Sequence, residues 1–102
     1  MTIEFLYFDG CPNHQKAYAL LLEVLREEQQ PIRIERIEIK DDADAQKYKF
    51  VGSPTIRIDG NDIDPSASEN RSYVKACRVY EIEGRLSGLP TKEIIRKALN
   101  GR

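Results

Sequence analysis

This chain has little cysteine, little histidine and almost no net charge, and each shortage removes a class of function. Lys and Arg number 16 against 17 Asp and Glu, so the net charge is −1. That near balance leaves no basic footprint for nucleic acid or for an anionic membrane surface. The longest apolar stretch, Ala17 to Leu22, is far too short to cross a bilayer. The first residues, Met1-Thr2-Ile3-Glu4, carry no basic segment and no signal-type cleavage site, so a cytoplasmic location is expected. No glycine-rich loop cradles a phosphate, and no cofactor is expected. His14 is the only histidine and stands beside Cys11, which argues against a serine-histidine triad. Asp41, Asp42 and Asp44 lack the glycine and distal glutamate of a calcium loop, and read as a solvated helix start.

What is present is a regular alternation of elements, with no internal repeat, over residues 1–102 read as one domain. Ile3 to Phe8 is apolar on both faces: Ile3, Phe5 and Tyr7 on one, Leu6 and Phe8 on the other. That pattern predicts a central strand covered on both sides. Asp9-Gly10 ends it. Cys11 then falls at an N-cap position and Pro12 at the first helical position. Ala17, Leu20, Leu21, Val24 and Leu25 continue as the inner stripe of a helix from residue 12 to about residue 29. Ile32 to Ile39 reads as a second strand whose apolar parity switches midway. Either a bulge near Glu35-Arg36 or burial on both faces accounts for that switch.

Lys40 to Phe50 is weakly helical, with Asp41 or Asp42 as its cap. Thr55 to Asp59 is a short strand, and Asp59-Gly60-Asn61-Asp62 turns it into a hairpin that Ile63 continues. Pro65 to Lys75 is polar and irregular. Cys77 to Glu81 reads as a further strand, with Glu83-Gly84 turning the chain towards Leu86. Thr91 to Leu99 is a closing helix with Ile94, Ile95, Ala98 and Leu99 inward and Asn100-Gly101 as its stop. Tyr48, Tyr73 and Tyr80 read as core or rim aromatics. The expected class is α/β, a central mixed sheet flanked by helices.

Cys11-Pro12-Asn13-His14 carries the chemistry. A thiol where a strand ends and a helix begins meets free backbone N–H groups and the positive end of the helix dipole, which favour the reactive thiolate. The bland reading is a buried small hydrophobe. For His14 three readings stay open: a charge that tunes Cys11, a metal ligand, or a surface residue of the helix. Cys11 and His14 supply two metal ligands at a plausible spacing, with Cys77 or Asp9 as further donors. A closed zinc site needs four and no second paired motif exists, so no metal is assigned.

Two stretches carry a resemblance to the thioredoxin/glutaredoxin superfamily: Phe8 to Leu25, and Gly52-Ser53-Pro54-Thr55-Ile56-Arg57-Ile58-Asp59-Gly60. The chain is most similar to small bacterial thioredoxin-like proteins with a Gly-Cys-Pro-Asn start and a later Cys-Arg pair, here Cys77-Arg78. The resemblance implies a thioredoxin-like fold, Cys11 as nucleophile and Pro54 as a cis-proline. A cis bond turns the backbone of Ser53 towards Cys11, where its N–H and C=O would pair with an extended substrate. His14 stands where the motif's resolving cysteine would be, so a dithiol reaction within the motif is impossible. Topology starts the irregular segment from Pro65 to Ala76 near the active-site end of the sheet, and two readings of Cys77, which closes it, stay open: a resolving thiol for Cys11, or a residue pointing into the core at a strand start.

The leading expectation is a thiol-disulfide oxidoreductase or redox-responsive protein acting on protein or small-molecule thiols and disulfides. Two alternatives stay beside it: a non-catalytic binding domain on the same scaffold, and a metal or metalloid handler using Cys11, His14 and Cys77.

Overall fold

The computed structural model describes residues 1–69 and 73–101. Its main sheet has four strands: β1 (Ile3–Tyr7), β2 (Ile34–Glu38), β3 (Thr55–Ile58) and β4 (Asn61–Asp62). They lie in the order β2-β1-β3-β4. β1 runs parallel to β2 and antiparallel to β3, with Phe5 opposite Arg36 on one side and Ile56 on the other. A βαβ crossover through helix α1 (His14–Glu27) makes the parallel pair, and a two-residue turn joins β3 to the antiparallel β4. Asp59 and Gly60 both take positive φ, 52° and 83°, as a tight primed hairpin turn requires.

The sheet is covered on both faces, as the two-sided apolar pattern of β1 predicts. Ile3 and Phe5 of β1 and Ile56 and Ile58 of β3 pack under Ala17, Leu21, Val24 and Leu25 of α1 and Ile95 and Leu99 of helix α3 (Lys92–Asn100). On the opposite face Leu6 packs with Ile39, with Ala45 of helix α2 (Asp42–Tyr48), and with Phe50. Asp41 caps α2 by accepting from the Asp44 N–H at 2.8 Å, and Thr91 caps α3 through Ile94 at 3.2 Å.

The parity switch in β2 is burial on both faces, without a bulge. Ile34 packs on the larger cluster, whereas Ile37 and Ile39 belong to the smaller one, and the register with β1 is continuous. Ile32 lies outside the strand and is exposed.

The last third of the chain departs further from expectation. A 3₁₀ turn spans Pro65–Glu69. The expected strand from Cys77 instead begins at Tyr80: β5 (Tyr80–Ile82) and β6 (Arg85–Ser87) form a separate hairpin. Cys77 forms a single parallel bridge with Ser53. The expected irregular segment from Pro65 to Lys75 includes residues 70–72, which lie outside the described residues.

Candidate functional site: two cysteines about Ser53

Cys11 lies in the loop between β1 and α1, and the local chain explains its setting. Its N–H donates back to the Phe8 carbonyl at 3.1 Å, closing a turn over Asp9-Gly10. Pro12 disfavours helical geometry at the residue before it. The helix therefore starts later than the pattern predicts. Asn13 is its N-cap and His14 its first residue, with Ala17 N–H donating to the Asn13 carbonyl at 3.0 Å as its first bond. Cys11 is not the cap. Its side chain turns inward, 4% exposed, and the Sγ thiol donates to the Ser53 carbonyl at 3.5 Å.

Ser53 comes from the loop before β3, on the opposite side of the thiol. The Ser53–Pro54 peptide bond is cis. All the backbone polar groups of Ser53 are engaged. Its N–H donates to the Ala76 carbonyl at 2.9 Å, and its C=O accepts from the Arg78 N–H at 3.0 Å as well as from Cys11. Its Oγ accepts from the Phe8 N–H at 3.4 Å. The expected free edge for an extended substrate is thus filled by the chain's own segment 76–78, because Arg78 and Tyr80 anchor that segment to the sheet.

The anchors are specific. The Arg78 guanidinium makes a two-point salt bridge to Asp62 of β4, at 2.7 and 2.8 Å, with Asp64 at 3.9 Å. It also stacks over the Tyr80 ring at 4.2 Å. These acidic partners and the tyrosine hold its proton more firmly than usual, against the opposing effect of burial, which is the largest single influence. The buried Tyr80 hydroxyl donates to the Pro54 carbonyl at 2.6 Å. Burial pushes that phenol far above its ordinary range, and Asp62 and Asp64 add to the effect while Arg78 opposes it. Gly52, at φ +117°, completes the fit. A Cβ there would lie 2.7 Å from Arg78 Cβ and 2.9 Å from its Cα. On the N-terminal side of Cys77, Lys75 N–H donates to Asp42 at 2.9 Å and Gln46 donates to the Tyr73 carbonyl at 3.0 Å, tying the segment to α2.

Cys77 therefore sits between fixed neighbours, with its side chain exposed rather than packed in the core. Slight desolvation and the adjoining Cys11 sulfur, by charge and by hydrogen bonding, raise the Cys77 thiol above its ordinary value. The element order directed the segment before Cys77 to this end of the sheet, but nothing in the sequence spacing marked the Arg78–Asp62 pair behind it.

Of the three readings of His14, the structure overturns the surface one: the ring is buried and stacks on Tyr7 with ring centroids 4.8 Å apart. Its Nδ1 is buried without a hydrogen-bond partner. Among the described residues no group of three His, Cys, Asp or Glu side chains is arranged to hold a metal. A cleft of about 990 Å³ between β4 and α3 is lined by residues such as Ile58, Ile63 and Lys97, with neither thiol in its lining. No described helix is long and apolar enough to cross a membrane.

Fold and site together define a small mixed α/β domain with two reduced cysteines converging on one backbone residue. A family model described as a domain of unknown function, DUF2703, matches residues 10–99, and the chain belongs to that family. No curated protein and no solved structure gives a match.

Proposed function

We propose that this protein is a thiol-disulfide oxidoreductase of thioredoxin-like fold, working through a reversible Cys11–Cys77 disulfide with Cys11 as its internal nucleophile. The order β-α-β followed by an antiparallel hairpin and a helix, with the cis Ser53–Pro54 bond beside Cys11, supports the fold reading. One observation carries the chemistry. Cys11 donates to the Ser53 carbonyl, while the Ala76 carbonyl and the Arg78 N–H, on either side of Cys77, bond that same residue, which brings both cysteines to one point of the backbone. Cys77 thus supplies the second thiol that the motif lacks at His14. Two anchored segments hold the pair, so closing the disulfide needs little ordering of the chain.

The test is mild oxidation of the reduced protein followed by non-reducing peptide mapping. A Cys11–Cys77 peptide from monomeric protein, reversed by dithiothreitol, is the expected result. Oxidation that yields only intermolecular or over-oxidised cysteine rejects the reading. It would favour the binding-domain alternative, which the burial of Cys11 and the filled Ser53 edge also suit.

A further inference from the structure

We infer that exchange with outside molecules takes place at Cys77, that Cys11 is the resolving thiol, and that the outside partner is a low-molecular-weight disulfide or thiol rather than an extended polypeptide. This rests on the Cys11–Cys77 pair proposed above but reverses the order in which the resemblance would use it. Three independent features of the site lead to it.

The first is access. Cys11 is 4% exposed beneath segment 76–78, whereas Cys77 is exposed. Thiol-disulfide exchange requires in-line approach to a sulfur, so the reachable sulfur reacts first. The second is the occupied edge. A polypeptide disulfide is normally held by strand addition, which needs unpaired backbone N–H and C=O groups. At Ser53 both are used, by Ala76 and Arg78. Vacating them means pulling Arg78 away from Asp62, a buried two-point ion pair. The third is a recess of matching size. A cavity of about 290 Å³ opens beside Cys77, lined by Val51, Asp64, Ser66, Arg78 and Val79. Its volume suits a small disulfide.

The reaction balances without any further reagent. The Cys77 thiol loses its proton to solvent, and the thiolate attacks one sulfur of a disulfide RSSR. A Cys77–SR bond forms, the RS–SR bond breaks and one RS⁻ leaves. Cys11, after losing its own proton, attacks the Cys77 sulfur and expels the second RS⁻. The two protein thiols are oxidised to one disulfide, and RSSR is reduced to two RSH once the leaving thiolates take up protons. In reverse, an outside thiolate attacks the exposed Cys77 sulfur and Cys11 is the leaving group. The raised value of Cys77 makes the forward step accelerate as pH rises past neutrality.

The experiment uses the reduced full chain and its Cys11→Ser and Cys77→Ser variants with 2-hydroxyethyl disulfide, followed by acid quench, intact mass and peptide mapping. Cys11→Ser is expected to gain its adduct at Cys77 at least tenfold faster than Cys77→Ser gains one at Cys11. Wild type should pass through a Cys77 adduct to the internal disulfide. Limiting iodoacetamide on wild type, which needs no variant to fold, should label Cys77 first. Faster labelling or adduct formation at Cys11 overturns the assignment. A disulfide-linked extended peptide should react no faster than the small probe, and a tenfold preference for the peptide overturns the substrate class. If the Cys77 adduct forms but persists, the outer role of Cys77 stands while the redox pair fails.

Discussion

Arg78 and Asp62 form a two-point ion pair whose side chains are only 5% and 12% exposed, and the pair holds the Cys77 segment against the main sheet. Both charges are largely out of water, so each depends on the other. The bond joins the hairpin strand β4 to the residue next to Cys77. It thereby makes the geometry of the two thiols a property of the fold rather than of a loose loop.

Replacing Arg78 by Ala should therefore destabilise the protein by about 3–5 kcal/mol, the usual range when one partner of a buried pair is removed. Arg78→Lys keeps the charge but loses the planar two-point contact, and should fall between that variant and wild type. Urea unfolding measures the loss. The yield of Cys11–Cys77 disulfide at fixed oxidant should fall in the same order. Unchanged yield in a folded Arg78→Ala protein would mean that the pair does not position Cys77.

Gly52 offers a gentler way to move the same segment. An added methyl meets Arg78 backbone and Cβ atoms at under 3 Å, at a φ that L-residues rarely adopt. Gly52→Ala should cost about 1–3 kcal/mol from the backbone conformation alone. It should also raise the rate of native-state alkylation of Cys11, because segment 76–78 must lift to admit the methyl.

Tyr80 sets an alkaline limit on stability. Its folded-state value lies above the ordinary phenol range, so between the two the folded protein keeps a proton that the unfolded chain has lost. Stability from the neutral phenol is complete below the unfolded tyrosine value, near pH 10, and is lost as pH climbs through the folded one. In an alkaline titration the Tyr80 phenolate absorbance should appear only together with loss of the helical circular-dichroism signal. Tyr80→Phe should flatten this alkaline decline. It should also cost about 1–3 kcal/mol at neutral pH through the lost bond to the Pro54 carbonyl.

His14→Phe separates packing from chemistry. Phenylalanine keeps a ring over Tyr7 and removes the unpartnered buried nitrogen. A gain of about 1 kcal/mol is expected, with the pH profile of Cys11 alkylation unchanged. A displaced profile would restore the tuning role that the motif suggests for His14.

Much of the architecture is legible in the chain because it follows from local rules. The two-sided apolar run of Ile3 to Phe8 marks the central strand. Asp41, one of the two residues expected to cap α2, does so, and Asp59-Gly60 adopts the turn that its residues favour. The start of α1 differs from the pattern's expectation because Cys11-Pro12 has the composition of a helix start without its geometry. The turn from Cys11 back to Phe8 then holds the cysteine outside the helix.

Residue order by itself determined the mixed sheet flanked by helices, its hairpin, and the presence of one thiol at the β1–α1 junction. Those features depend on propensities and periodicities that act over a few residues. Only tertiary structure decided what that thiol meets. Ser53 lies 42 positions from Cys11, and Arg78 lies 16 from Asp62. Contacts at such separations are chosen by how the layers pack and by which buried charges and carbonyls must find partners. That requirement lays segment 76–78 along Ser53, fills the Ser53 backbone edge, buries Cys11 and leaves Cys77 facing solvent.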